Sequence, residues 1–176
     1  KFWINPYEFE TGIEKLKNLP HLKLIGLHFH IGSQITDLTP FKNLCTRVNE
    51  INNYFLNKGF DLPLINVGGG LGINYQEPDN GAIVDFGAYF KLFHDFLDLR
   101  KNQELHFELG RSVVGNCGSL ISKVLYIKNG INTNFAILDA GMTELIRPAL
   151  YQAFHKIENI SSIEEGTVKY DVVGPI

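Results

Sequence analysis

An α/β fold is what the sequence predicts: the C-terminal half of a (β/α)8 TIM-like barrel, followed by the start of a β-rich second domain. Three observations point there. Helical and strand-like segments alternate up to residue 112, the mark of parallel strands joined by crossover helices. Each strand-like segment has one apolar face and one small or polar face, whereas a doubly wound sheet is covered, and apolar, on both faces. Beyond residue 112, strand-like runs succeed one another without a long helix between them.

The helices are marked by their ends and stripes. The first is predicted to begin at Asn5, with Pro6 at the first helical position and Glu8 three after the cap. Phe9, Ile13 and Leu16 keep helical spacing behind it. The second is predicted from Thr39-Pro40, with a stripe of Phe41, Leu44, Cys45, Val48, Ile51 and Phe55, and Gly59 ends it. The third starts near Asp85 and carries Tyr89, Leu92, Phe93, Phe96 and Leu97. "KFWI" precedes the first helix, and "LKLIGLHFHIG", "LPLINVGGG" and "ELHFELGR" each follow one.

Pleating sorts the strand residues into faces. Ile25, Leu27 and Phe29 oppose Gly26, His28 and His30; Ile65 and Val67 oppose Asn66 and Gly68; Leu105, Phe107 and Leu109 oppose His106 and Glu108. A barrel with helices outside and a polar mouth fits this pattern. After residue 112 come "SLISKVLYIKN", "TNFAILDAGM" and "TVKYDVVGP", with only "ELIRPALYQAFHKI" briefly helical. Residues 1–112 are therefore read as the barrel part and 113–176 as the start of the second domain.

The chain has 176 residues, 44% hydrophobic, with a net charge of −3, which is globular composition. There is no basic excess to favour nucleic acid or an anionic membrane surface, and no apolar run long enough to span a bilayer. Cys45 and Cys117 stand far apart, outside any C-x-x-C. Lone cysteines point to a reducing, cytoplasmic setting without a disulfide framework. The chain opens at "KFWIN" without Met and closes at "YDVVGPI", both strand-like, so it is expected to be an internal piece of a longer protein.

Four motifs carry candidate chemistry, each beside a plainer explanation. "NVGGGLGINY" places Gly68, Gly69, Gly70 and Gly72 after a strand. Backbone amides there suit an anion, although a tight turn alone would also use glycine. It matches neither the G-x-G-x-x-G fingerprint nor a P-loop. "HFHIGSQ" offers His28, His30 and the Ser33 hydroxyl at another strand end, or simply two barrel-lining histidines. A metal would need a third ligand from His106 or Glu108. "HFELGRS" sets Glu108 inward with Arg111 beyond it, as an ion pair or as a carboxylate aimed at a protonated ligand atom. "IRPALY" puts Arg147 and Tyr151 four apart, on one side of a helical turn. They form either a surface arginine over a tyrosine or a carboxylate clamp. A flat ring, a hydroxyl, glycine amides and a carboxylate at neighbouring strand ends fit a phosphorylated, protonatable heterocycle, with pyridoxal 5′-phosphate (PLP) the foremost candidate.

"GLHFHIGSQ", "NVGGGLGINY", "ELGRS" and "LDAGMTELIRPALY", in that order, resemble the motifs of the diaminopimelate decarboxylases among the alanine-racemase-like, fold-type III PLP enzymes. The resemblance covers nearly the whole chain, as the middle part of such an enzyme. It implies that His30 stacks on the cofactor ring and that Glu108 pairs with the ring nitrogen. It also implies that Ser33, Gly69, Gly70, Gly110 and Arg111 lie at the cofactor and its phosphate, and that Arg111, Arg147 and Tyr151 hold substrate carboxylates. The implied reaction is decarboxylation of meso-2,6-diaminopimelate to L-lysine, in a homodimer with shared sites. The family's Schiff-base lysine lies upstream and its Cys-Glu-Ser segment follows "VVGPI".

Two positions depart from the pattern. Leu109 stands where the family usually has Pro, and Trp3 where it usually has Gly. Ornithine- or arginine-type decarboxylases share single motifs with this chain. A non-catalytic PLP- or amino-acid-binding homologue and a metal-dependent barrel hydrolase are the readings of other classes.

Overall fold

The computed structural model describes residues 4–79, 84–163, 166 and 168–175. The chain divides into two compact units, Lys1–Gly72 with Val84–Ser112, and Ile73–Ile83 with Val113–Ile176.

In the first unit the chain enters through a 3-10 turn, Pro6–Glu8, which leads into α1 (Phe9–Lys17). The Asn5 amide donates to the Glu8 carboxylate at 2.9 Å, and the Glu8 amide donates to the Asn5 carbonyl at 2.8 Å. The helix start expected at Asn5 is thus a tighter turn first, which pairs groups that an α-helix leaves open at its N-terminus. Strand β1 (Gly26–His28) follows, then α2 (Thr39–Asn57), β2 (Leu64–Asn66), α3 (Phe86–Phe96) and β3 (Glu104–His106). The α2 helix ends at the Gly59 signal, where φ is +87°. At α3 the Asp85 side chain accepts from the Ala88 amide, as its cap position calls for.

The three strands form a parallel sheet in the order β1-β2-β3. Leu27, Ile65 and Leu105 share one row of the register and His28, Asn66 and His106 the next. The first row faces the helices and the second is the polar row, as the pleat requires. Regular pairing covers three residues in each strand, fewer than the sequence runs promise. Pro63 has no N–H to extend β2 backwards. Forward, the ladder continues only as single bonds, Phe29 N to Asn66 O, Val67 N to His106 O and Glu108 N to Gly68 O, into the glycine-bearing loops. Ile25, expected on the apolar face, precedes β1 and is exposed.

The core lies between this sheet and the stripes of α2 and α3. Phe41, Cys45, Val48, Ile65, Val67 and Tyr89 are fully buried. Burying each large aliphatic side chain there contributes roughly 1.5–3 kcal/mol. Phe41, Tyr89, Phe93 and Phe107 meet edge to face or tilted, with ring centroids 5.0–6.4 Å apart. Burial pushes the Cys45 thiol up to about 11, so it packs as a small apolar group. Phe96, placed in the α3 stripe by spacing, is instead exposed, with the Lys42 ammonium 4.3 Å from its ring centroid. Leu109, in the place of the family's usual proline, packs against this core. Trp3 lies outside the described residues.

The short helix α4 (Gly110–Val114) follows β3, where the sequence showed no helical signal. In the second unit, β4 (Val124–Asn129) and β5 (Asn134–Leu138) pair antiparallel, and β6 (Asp171–Val173) joins β5 in parallel. Asp139 ties the base of this hairpin, accepting from the Ser122 hydroxyl at 2.6 Å and the Lys123 amide at 2.8 Å. Those two donors hold its carboxyl below the usual carboxylate range. Among the described residues of this unit, the helical piece after α4 is α5 (Arg147–Tyr151), one turn ended by Gln152 in the left-handed region. The α/β fold with a parallel sheet, followed by a β-rich part, is thus as the sequence predicts.

Every residue of β4 and β6 is exposed, including Leu125, Tyr126, Ile127 and Val172. Uncovered strands of this composition associate. The 176-residue segment expressed alone is expected to be oligomeric or aggregated by light scattering, without a sharp melt. A monomer with a cooperative two-state transition would contradict this.

Candidate active site

The polar row of the parallel sheet gathers the first group of candidate residues. His28 and Asn66 are in register on neighbouring strands, and Glu108 lies just beyond β3. The Asn66 amide nitrogen donates to Glu108 Oε1 at 3.0 Å, and its Oδ1 accepts from the Gly68 amide at 2.8 Å. These two bonds fix the amide's orientation and the carboxylate's rotamer together. His28 Nε2 lies 3.4 Å from the same Glu108 oxygen. Glu108 is half exposed, at 52% of its side chain, rather than buried in an ion pair with Arg111. Arg111 instead donates from Nη1 to Gln34 Oε1 at 3.1 Å.

Glycines let three strand-end loops pack backbone against backbone. A Cβ on Gly68 would strike the Phe29 carbonyl, one on Gly69 the Glu108 carbonyl, and one on Gly70 would come within 2.5 Å of the Gly32 carbonyl. Gly68 and Gly70 have φ of +71° and +100°, which other residues adopt only under strain. The tight-turn explanation therefore accounts for part of the glycine pattern. Among the described residues, however, neither the Gly69 nor the Gly70 amide meets an acceptor, so two donors remain at the strand ends. His30 and Ser33 are exposed in the loop beside them, and Gly110 begins α4.

Tested against PLP, the donor set fits: open glycine amides and a serine hydroxyl for phosphate, and a positioned carboxylate for a pyridine nitrogen. Among the described residues no group of three or more His, Cys, Asp and Glu is arranged to hold a metal ion. Gly69→Ala in the full-length protein is expected to push the Glu108 backbone away. It should weaken PLP binding by roughly tenfold, equivalent to ~1.4 kcal/mol. PLP titration by absorbance beside a thermal melt reads both effects.

Arg147 and Tyr151 belong to the second unit, at the two ends of α5. Arg147 is half-buried and donates from Nη1 to the Tyr75 hydroxyl at 2.5 Å, with its Cζ 5.0 Å from the Tyr75 ring centroid. Its Nε is buried without an acceptor. Tyr151 is 69% exposed. Sequence reasoning missed three participants: Asn66, Gln34 and Tyr75. Asn66 had a signal, since the pleat put it on the polar face beside His28. Gln34 and Tyr75 are 77 and 72 residues from their arginines, and no local pattern joins them.

Comparison with known proteins gives the context. Residues 1–115 match the family model described as pyridoxal-dependent decarboxylase, pyridoxal binding domain. The chain is 56% identical over its full length to the diaminopimelate decarboxylase of Bacteroides thetaiotaomicron, of which it covers 45%. It superposes on the crystal structure of AQ1208 from Aquifex aeolicus with a TM-score of 0.87 at 36% identity, covering 99% of this chain and 43% of that one. On Helicobacter pylori diaminopimelate decarboxylase complexed with L-lysine, the TM-score is 0.81 at 35% identity, covering 97% and 41%. The chain thus spans less than half the length of these relatives. With the match running unbroken from the first residue through the glycine loop and the Glu108 motif, the chain belongs to the pyridoxal-dependent decarboxylase family.

Proposed function

We propose that the protein containing this chain decarboxylates meso-2,6-diaminopimelate to L-lysine and CO2, with PLP bound at the strand-end site. We further propose that it works as a cytoplasmic homodimer with shared active sites. The observation that carries the substrate reading is the state of Arg147: a half-buried guanidinium whose hydrogen-bond partner is a neutral phenol. Such a charge calls for an anion. Diaminopimelate has a carboxylate at each end, and the one that does not react needs a cation, whereas ornithine has none there. The names of the relatives agree with this choice of substrate.

Bound PLP supplies the electron sink that decarboxylation needs. The chain's own residues then have these roles. Gly69, Gly70 and Gly110 amides, the Ser33 hydroxyl and Arg111 hold the phosphate, and His30 lies against the ring. Glu108, its rotamer set by Asn66, keeps a proton on the ring nitrogen. Arg111 also serves a substrate carboxylate. Arg147 and Tyr151 take the far one.

The test is turnover by the purified full-length protein, with CO2 and L-lysine measured for meso-diaminopimelate beside L-ornithine and L-arginine. Diaminopimelate is expected to be the one substrate turned over efficiently. Preference for ornithine or arginine would assign the protein to another branch, and no turnover of any of them with PLP bound would favour a binding role.

A further inference from the structure

The geometry points to Tyr75 as the positioning residue that sets Arg147 for a carboxylate and so confers selectivity for the substrate's far end. This rests on the role just proposed for Arg147 and assigns a further residue to it. Tyr75 takes two degrees of freedom from the guanidinium. Its hydroxyl accepts from Nη1 at 2.5 Å, which fixes rotation in the guanidinium plane. Its ring lies 5.0 Å from Cζ, which limits tilting of that plane. His155 packs edge-on against the same ring, with centroids 4.9 Å apart, and supports it from the side.

The choice of partner matters as much as the contact. A carboxylate in place of the phenol would neutralise Arg147 and compete with an incoming anion. A phenol oxygen orients the guanidinium and leaves its charge in place. It also occupies only Nη1. The remaining donors, Nε and Nη2, share one edge of the fork, and among the described residues neither has an acceptor. That edge carries two parallel N–H groups, the Nε one buried, and such a pair is the arrangement a carboxylate binds through both oxygens. Tyr75 lies just past the glycine loop in sequence and meets Arg147 only through the fold of the second unit.

The experiment uses the full-length enzyme and two competitive inhibitors. L-Lysine, the expected product, keeps the far carboxylate, and cadaverine is the same diamine without it. Inhibition constants for both are measured in wild type, Tyr75→Phe, Arg147→Ala and the double variant, with kcat and KM for meso-diaminopimelate. Tyr75→Phe keeps the ring and removes the hydroxyl that accepts from Arg147. It is expected to weaken L-lysine and raise KM by about three- to tenfold, while cadaverine inhibition and kcat stay within about twofold. Arg147→Ala is expected to weaken L-lysine by more, and the double variant to be no worse than Arg147→Ala alone, since both residues act through one group.

If Arg147→Ala is selective for L-lysine but Tyr75→Phe shifts both inhibitors equally, or neither, Tyr75 does not position the arginine and the inference is overturned. If Arg147→Ala itself weakens both inhibitors alike, the substrate role of Arg147 fails, and the role of Tyr75 fails with it.

Discussion

Arg147→Ala in the full-length enzyme is expected to lower kcat/KM for meso-diaminopimelate by roughly two to three orders of magnitude. The guanidinium is half-buried, bonded to a neutral hydroxyl, with Nε buried and unbonded. Removing one partner of a desolvated charge pair costs on the order of 2–5 kcal/mol, in part because the other charge is left unmatched. Here the substrate's far carboxylate would be the group left without a partner. PLP content should be unchanged, because this residue is assigned to the substrate and not to the cofactor. The loss should be much smaller for slow substrates that lack the far carboxylate. Steady-state CO2 release on both kinds of substrate, with PLP quantified by absorbance, decides the matter. Equal losses on both would make Arg147 a structural residue.

Glu108→Gln is expected to leave PLP bound and to reduce kcat by roughly two orders of magnitude or more, as when a preorganised electrostatic partner is removed. The substitution is close to isosteric, and the amide oxygen still accepts from Asn66, whose own position is fixed by the Gly68 amide. What disappears is the negative charge that, in the proposed role of Glu108, would keep a ring nitrogen protonated. PLP titration and single-turnover CO2 release separate the two effects. Unchanged kcat with weakened PLP would show that Glu108 serves binding and not the chemistry.

The site was legible in the sequence to unequal degrees. His28, His30 and Glu108 were placed on the polar face by counting in twos along their strands, and the structure keeps that alternation in burial through residues 104–109. The glycines could be recognised as a close-approach loop, but not what they approach. Only the folded chain brings the Phe29, Gly32 and Glu108 carbonyls against Gly68, Gly70 and Gly69. The pairing of Glu108 with Arg111, weighed from proximity in sequence, gave way to Asn66 and His28 on one side and Gln34 on the other. Three residues of separation place two side chains close along a chain, yet the strand end and the start of α4 turn them to different neighbours.

By itself the sequence determined the alternation of helices and strands, the helix-start signals at Pro6 and Thr39-Pro40, the cap at Asp85, and the two faces of each strand. It also marked the change of pattern near residue 112. These are local properties: periodicity, cap chemistry and backbone preference are set by residues within a few positions of one another. Tertiary structure decided the partners, namely Asn66 for Glu108, Gln34 for Arg111 and Tyr75 for Arg147. It also decided that regular pairing lasts only three residues in each barrel strand, and that Phe96 turns outward beneath Lys42. Side chains 42 to 77 residues apart meet only after loop closure has been offset by burial of the core, and no short-range pattern records which of them will do so.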